Sequence, residues 1–314
     1  MKPALSVIFF TVLSGAGFGL WALLGGALAL DVYPHARLAV SLPLVLGFVF
    51  ASAGLLSSTL HLGRPARAWR AFSQWDSSWL SREGVASVVT YVPAFVIAAC
   101  LCTGVHPVWI RATGAVMLAC AVATVVCTAR IYTSLKPVAA WRDPRVLPLY
   151  LLFAFWSGGL WLWTCLSFVA TTHSLPFAIG LLAVGAIAAA LKWMYWRSLD
   201  SLHAVTAGHA TGLERFGAVR AFEGPTTQEN YLLREMAFVL ARKHASRLRG
   251  IALLLCFALP ALLELIGLLA PVAARACAPL AALSCTAGLF VERWLFFAQA
   301  RHAVAAFFPE HSPD

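Results

Sequence analysis

The segment His61–Gly84 reads HLGRPARAWRAFSQWDSSWLSREG and connects two long apolar runs of the chain. It is basic and rich in tryptophan, and it carries a histidine, His61, at one end and a glutamate, Glu83, at the other. Pro65 is typical of a helix that ends just past His61. Ser81 is typical of an N-cap, which predicts a second helix beginning near Glu83. We therefore expect the imidazole and the carboxyl group to leave neighbouring helices at similar depth, on the same side of the fold.

The composition places the chain in a membrane. Of its 314 residues, 61% are hydrophobic and 11% are charged, and the mean hydropathy is +0.81. Charged residues make up about 25% of an ordinary soluble domain. Eight apolar runs each match the ~20 residues that a helix needs to cross hydrocarbon. We predict an all-α integral membrane protein, one polytopic domain over residues 1–314, with spans at about 4–30, 38–60, 83–103, 108–133, 148–170, 176–197, 248–270 and 277–300.

The first four and the last four runs have the same order of short, long and short connections. This order allows two four-helix bundles, although no strong sequence repeat between the two halves supports them. Alternate connections lie on opposite sides of the membrane, and of the 23 Lys and Arg residues only Arg37, Arg111 and Arg275 fall on the side away from the termini. Excess Lys and Arg stay on the cytoplasmic side of a membrane protein. Both termini and the His61–Gly84 segment are therefore predicted to face the cytoplasm.

The longest connection, residues 198–247, is the main candidate for a partner-docking element. Thr226 and Glu229 have the spacing of a capping box, which predicts the start of a helix. The residues after them place an apolar stripe beside charged positions. Two interpretations stay open: an amphipathic helix at the membrane interface, and a docking surface for a cytoplasmic partner.

His61 and Glu83 are the candidate catalytic residues. Histidine titrates near neutral pH and can donate or accept a hydrogen bond. A carboxyl group in a partly desolvated site can take up and release protons near neutral pH. This combination suits two-electron, two-proton chemistry on a lipid-soluble quinone or quinol. The alternative interpretation is structural, with His61 capping one helix and Glu83 interacting favourably with the dipole of the next.

Three further residues are candidates for the same chemistry. Arg64 and Arg82 flank the pair in sequence and are candidate quinone-binding residues. Glu264 lies well inside the seventh apolar run, where an ionisable side chain is costly and functional by default. It is a candidate for a proton route, or alternatively a protonated, hydrogen-bonded packing residue.

Several cofactor classes are not expected in this chain. Its eight cysteines contain no CxxC spacing and fall within or beside the spans, so we expect no iron–sulfur cluster, metal site or disulfide. The nine histidines lie in connections or near span ends. Haem b would need paired histidines at matching depth within the membrane, so no haem is expected. The expected surroundings are membrane lipid, with no nucleic acid partner.

Three segments carry a resemblance to a known family: HLGRP, SQWDSSWLSRE, and the stretch ATGL…VRAFEGPTTQENYLLREMAFVLARKHASRLR. Together they resemble the DmsC-type membrane anchor subunits of DMSO-reductase-family molybdoenzymes, and the resemblance covers essentially the whole chain. It implies a subunit of the bacterial inner membrane that holds a molybdopterin catalytic subunit and a four-cluster, ferredoxin-like iron–sulfur subunit. It also implies electron exchange with ubiquinone or menaquinone. The family's functional histidine and glutamate fall on His61 and Glu83.

The resemblance leaves the direction of electron flow open. DMSO reductases use such an anchor to oxidise menaquinol, whereas SoeC-type anchors serve a cytoplasmic sulfite dehydrogenase that reduces quinone. The basic cytoplasmic side and the tryptophan-rich HLGRPARAWRAFSQW segment favour the sulfite branch. Arg67 and Arg70 within that segment are candidate docking residues for the partner. A secondary transporter is the alternative of another class, and Pro260, four residues before Glu264, marks the span that would be broken.

Overall fold

The computed structural model describes residues 4–34, 36–60, 65–103, 107–169, 175–202, 206–217, 219 and 244–304. These residues contain eight helices that are long and apolar enough to cross a membrane, which confirms the predicted all-α membrane fold. In chain order they are α1 (Leu5–Ala29), α2 (Arg37–Thr59), α3 (Trp79–Thr103), α4 (Pro107–Thr133), α5 (Val146–Val169), α6 (Leu175–Asp200), α7 (Ala245–Leu269) and α8 (Ala274–Ala298).

The largest difference from the predicted spans is at the start of α3. The helix begins at Trp79, four residues before the predicted start at 83. Ser78 is the capping residue, because its side-chain oxygen accepts the Ser81 backbone N–H at 3.4 Å and its carbonyl accepts the Arg82 N–H. The prediction that Ser81 caps this helix is therefore wrong. Glu83 consequently lies in the second turn of α3 rather than at its N-terminus.

Helices α1 and α5 form the centre of the bundle. Gly19 packs directly on the backbone of Ala154, and Gly158 packs on the backbone of Gly19 and Leu20, so a side chain at either glycine would collide with the facing helix. Small residues permit this close approach in membranes. Helix α5 also contacts α2 and α4, and α1 contacts α8. These contacts join the two halves of the chain in one core. The division into two four-helix bundles is not confirmed and stays a prediction.

Helix α7 is continuous but irregular. A π-helical turn, Leu254–Ala258, precedes Pro260. Proline has no N–H to donate to the carbonyl four residues earlier, and the Trp156 indole N–H donates to that carbonyl, on Cys256, at 2.7 Å. The Ser284 hydroxyl donates to the Leu255 carbonyl at 2.9 Å. Side chains of α5 and α8 therefore satisfy the turn, and the helix is not broken at Pro260.

Several contacts fix one end of the bundle, called here the Glu83 end, where α2, α4 and α6 end and α3, α5 and α7 begin. The connection after α4 meets the C-terminal residues through a bridge between Val138 and His302, and the Trp141 indole N–H donates to the Phe296 carbonyl. Asp200 and Arg249 form a bidentate ion pair, with N–O distances of 2.7 and 2.8 Å, between the end of α6 and the start of α7.

Candidate functional site

Glu83 is buried in the wall between α3 and α4. Its side chain is 4% exposed, and the Thr128 hydroxyl of α4 donates to its Oε1 at 2.6 Å. A carboxyl group in such a place needs a partner, because burying it without one costs several kcal/mol. The single described partner is a hydroxyl rather than a cation. Glu83 is thus a buried carboxyl group held by a neutral donor, which suits it to gain and lose a proton.

The seam between α3 and α4 continues the polar character of Glu83. Ser87 and Thr90 follow Glu83 at helical spacing, so the three side chains share one face. Thr90 and Thr124 exchange a buried hydroxyl hydrogen bond at 3.0 Å. The Ser81 and Ser87 hydroxyls are buried without a hydrogen-bond partner within the described ranges. Of these two hydroxyls, that of Ser87 lies one helical turn from Glu83 on the same face of α3.

His61 and Arg64 lie outside the described residues. Helix α2 ends at Thr59, and its C-cap is Leu60, directly before His61. A hydrogen bond of 2.9 Å between the Ser52 and Tyr91 hydroxyls joins α2 to α3. The chain therefore leaves α2 next to the helix that carries Glu83, while the pairing of His61 with Glu83 stays a prediction.

The Arg82 side chain contacts the turn that precedes α3. Its Nε donates to the Trp75 carbonyl at 2.8 Å and its Nη2 to the Asp76 carbonyl at 2.5 Å. The guanidinium also lies 4.5 Å from the ring centre of Trp79, a cation–π distance. Arg82 therefore fixes the turn that leads into α3, and its proposed contact with a quinone stays a prediction.

The segment before this turn forms a 3₁₀ helix, Pro65–Gln74. Its length is unusual, since 3₁₀ helices rarely exceed about four residues. Arg67 and Arg70 are exposed on it, Trp69 is 65% exposed, and Phe72 packs against Gly84 of α3. The segment thus presents a surface of arginine and aromatic side chains beside the helix that carries Glu83.

Glu264 lies apart from Glu83. It is 2% exposed and sits near the end of α7 that is far from Ala245 and the Glu83 end. Its Oε2 has no hydrogen-bond partner among the residues that the structure describes. Both interpretations of Glu264, a proton route and a packing residue, stay open.

The structure adds a buried ionic cluster that the sequence analysis placed differently. Lys192 of α6 contacts Glu292 of α8 through Nζ and Oε1, and Arg293 Nε donates to Glu292 Oε2 at 2.5 Å. All three side chains are buried. The sequence analysis counted Lys192 and Arg293 among the basic residues of the cytoplasmic side. Both are instead buried in ion pairs, so they do not contribute to the charge of that surface. Helical spacing was the missed signal, because Lys192 shares a face with the buried residues Ala188 and Tyr195.

Aromatic rings enclose the ionic cluster. The Lys192 ammonium lies 4.3 Å from the ring centre of Tyr195 and 5.0 Å from that of Trp196. The Arg293 guanidinium lies 4.4 Å from the ring centre of Tyr150. Desolvated cation–π contacts of this kind contribute about 2 kcal/mol. They help offset the cost of holding three charges away from water.

A small cavity, called here the inner cavity, lies between Thr128 and Arg293. Its free volume is about 20 Å³, and α1, α4, α5 and α8 form its walls. The polar side chains on those walls are Thr11, Ser14, Thr128, Tyr150, Ser157 and Arg293. The inner cavity therefore joins the partner of Glu83 on one side to the ionic cluster on the other.

Metal-binding geometry is not found in the described parts of the chain. There, no group of three or more His, Cys, Asp or Glu side chains is placed to hold a metal ion. All eight cysteines are free thiols.

Comparison with known proteins identifies the family of this chain. Residues 1–298 match the family of the DMSO reductase anchor subunit (DmsC). The chain is also 32% identical to a sulfite dehydrogenase subunit of Allochromatium vinosum, over 96% of this chain and 97% of that protein. The chain therefore belongs to the DMSO reductase anchor subunit (DmsC) family.

Proposed function

We propose that this chain is the quinone-reactive membrane anchor of a cytoplasmic sulfite dehydrogenase complex. Its partners would be an iron–sulfur subunit, which delivers electrons, and a molybdopterin subunit, which oxidises sulfite. Oxidation of sulfite to sulfate releases two electrons and two protons, and a quinone accepts two of each to become a quinol. The anchor's task is to bring the quinone, the electrons and the protons together.

The observation that carries this proposal is the burial of the Glu83 carboxyl group against a neutral hydroxyl partner. A buried carboxyl group with a neutral hydroxyl partner is suited to general acid catalysis. The unpartnered hydroxyl of Ser87 in the described structure, one turn from Glu83 on the same helix face, fits a ligand with hydrogen-bonding oxygens in an otherwise apolar wall. His61 directly follows the C-cap residue of α2 in sequence, and we propose that it donates a hydrogen bond to one quinone oxygen.

The proposed roles divide between the two residues. His61 orients the quinone, with Arg64 and Arg82 as further polar neighbours of the ring oxygens. Glu83 supplies protons as the quinone is reduced. A bound quinone contributes the two-electron chemistry itself, and the protein contributes position, protons and exclusion of water.

Similarity to the Allochromatium vinosum protein supports sulfite as the substrate of the complex. The excess of Lys and Arg at the Glu83 end supports a cytoplasmic position for that end in a bacterial inner membrane. The exposed Arg67 and Arg70, with Trp69 between them, suit a docking surface for the iron–sulfur subunit. Residues 226–229 of the candidate docking connection lie outside the described residues.

A second candidate function is the anchor of a DMSO-reductase-type complex that oxidises menaquinol. The description of the matching family favours it. The same two residues would then act in reverse, with Glu83 accepting protons from the quinol. A secondary transporter has less support, because the span expected to be broken, α7, is continuous.

The test compares two activities on the same membranes. Sulfite oxidation with a soluble dye reports the assembled catalytic subunit, and sulfite oxidation with quinone reports the anchor. We expect His61→Ala to abolish quinone-linked sulfite oxidation and to leave the dye-linked activity unchanged. Glu83→Gln should lower the ratio of quinone-linked to dye-linked activity about 10²-fold, as loss of a general acid does. Ser134→Ala, a change to an exposed hydroxyl after α4, is the control. If both variants keep the ratio of the natural protein, the quinone site lies elsewhere.

A further inference from the structure

Trp79, the first residue of α3, contacts two cations through its indole ring. The Arg82 guanidinium carbon lies 4.5 Å from the ring centre, and that of Arg130, on α4, lies 5.9 Å from the same centre. Both are cation–π distances. One aromatic ring therefore gathers a positive charge from each of two neighbouring helices, although like charges repel each other.

These two cations have no described counter-charge. The ion pairs in the described parts of the chain join other residues, and neither Arg82 nor Arg130 belongs to one. Arg82 does contact Asp76, but through the backbone carbonyl of that residue. Arg130 is exposed, so its guanidinium can meet a ligand from outside the bundle. A guanidinium presents its N–H donors as a planar fork that matches a phosphate group.

The ring and its cations lie at the level where the helices leave the membrane. Trp79 begins α3, and Arg130 lies in the last turn of α4. Tryptophan is enriched at this level of membrane proteins, beside the lipid head groups. An anion that reaches both arginines is therefore expected at head-group depth, at the Glu83 end of the bundle.

Exposed apolar side chains continue from the two cations along one face of each helix. They recur at helical spacing from the arginines: Val89, Val92 and Val96 on α3, and Ala123, Ala119 and Val116 on α4. Both helices are long and apolar enough to span a membrane, so these faces meet hydrocarbon. A molecule that contacts the cations and both faces must carry a negative head and apolar chains.

We propose that Trp79, Arg82 and Arg130 bind the phosphate group of an anionic phospholipid, whose acyl chains lie along the exposed faces of α3 and α4. The phosphate supplies the counter-charge that the two arginines lack, and Trp79 holds both guanidiniums near it. The apolar faces favour a lipid over an acidic protein partner, because a cytoplasmic subunit does not reach side chains several turns inside a span. This site is separate from the proposed quinone chemistry.

Arg130→Gln is the sharpest test, since Arg82 is also a candidate quinone neighbour and stays unchanged. The purified complex is titrated with phosphatidylglycerol in detergent, and native mass spectrometry counts the lipid molecules bound. We expect Arg130→Gln to weaken lipid binding about fivefold, as the loss of one arginine at an anionic surface does. Arg301→Gln is the matched control: it removes an exposed arginine at the same end of the bundle and should leave this binding unchanged.

A second measurement locates the lipid. Phosphatidylglycerol with a photoreactive group in its acyl chain is added to the complex, and the labelled peptides are identified after illumination. We expect label near Val89 and Ala123, and loss of that label in Arg130→Gln. Arg130→Lys keeps the charge but not the planar fork, so it should retain part of the label. Phosphatidylcholine with the same photoreactive group should label these peptides weakly, because it carries no net negative charge.

Three outcomes would overturn the inference. Equal losses of lipid binding in Arg130→Gln and Arg301→Gln would show that the lipid senses only the general charge of this end. Loss of the label on addition of a comparable concentration of inorganic phosphate would indicate a site for free phosphate, to which acyl chains contribute nothing. Release of the catalytic subunit by Arg130→Gln, with the lipid label unchanged, would assign the two arginines to a partner subunit. The proposed function is tested separately, by the ratio of quinone-linked to dye-linked activity.

Discussion

Lys192 and Glu292 face each other inside the protein, on helices α6 and α8, and both side chains are buried. Arg293 binds the second oxygen of the same carboxylate. One negative charge is therefore shared by two positive ones. In such a group the shared member matters most for stability, because its loss leaves like charges buried together.

The first prediction is an order of stability. Glu292→Gln should destabilise the protein by about 3–5 kcal/mol, since it leaves two buried cations without a counter-charge. Lys192→Met should cost less, because Glu292 and Arg293 still pair. The measurement is the thermal unfolding midpoint of the detergent-purified complex. Arg111→Met is the control: it breaks the exposed pair with Asp31, 3.5 Å apart, and should change stability by no more than about 1 kcal/mol. An equal loss for Glu292→Gln and Arg111→Met would contradict the prediction.

The second prediction concerns the π-helical turn of α7. Trp156→Phe leaves the Cys256 carbonyl buried without its indole donor, which should cost about 1–3 kcal/mol. Pro260→Ala restores a backbone N–H that can donate to that carbonyl. The double variant should therefore unfold at a higher temperature than Trp156→Phe alone. Additive losses in this double-mutant cycle would show that Trp156 acts only by packing.

The sequence predicted the architecture well and the site in part. Each long apolar run forms one helix in hydrocarbon, so the number of helices could be predicted without knowledge of any long-range contact. The capping residue of α3 was misplaced because Ser78 and Ser81 have equal intrinsic preference for an N-cap, and tertiary packing decides between them. Helical spacing places Lys192 on the buried face of α6, but its partner Glu292 lies 100 residues further along the chain, so no local pattern identifies the ion pair.

The third prediction concerns partner docking. Arg67→Glu with Arg70→Glu reverses two exposed charges on the 3₁₀ helix before α3. If this surface binds the iron–sulfur subunit, the dye-linked activity should move from the membrane to the soluble fraction. The matched control is Arg37→Glu with Arg275→Glu, which reverses two charges at the opposite end of the bundle. Retention of the catalytic subunit in the first variant would assign this surface to membrane lipid instead.

The fourth prediction concerns orientation. In the predicted topology 20 of the 23 Lys and Arg residues lie on the side of the termini, and this excess remains large without the buried Lys192 and Arg293. A reporter that works only in the cytoplasm should therefore be active when it is fused after Asp314. A reporter fused between α1 and α2 should behave oppositely. A periplasmic signal from the fusion after Asp314 would remove the cytoplasmic position of the Glu83 end, and with it the preference for a cytoplasmic sulfite enzyme.

The bidentate pair between Asp200 and Arg249 has a consequence for how this protein can vary. It clamps together the two ends of the long connection between α6 and α7. Once the ends of a loop are fixed, its length matters little: each doubling costs only about 0.6 kcal/mol in closure entropy. The connection can therefore lengthen or change without disturbing the helices beneath it. If this connection is the docking element for the partner subunits, one eight-helix base can present different docking segments to different partners.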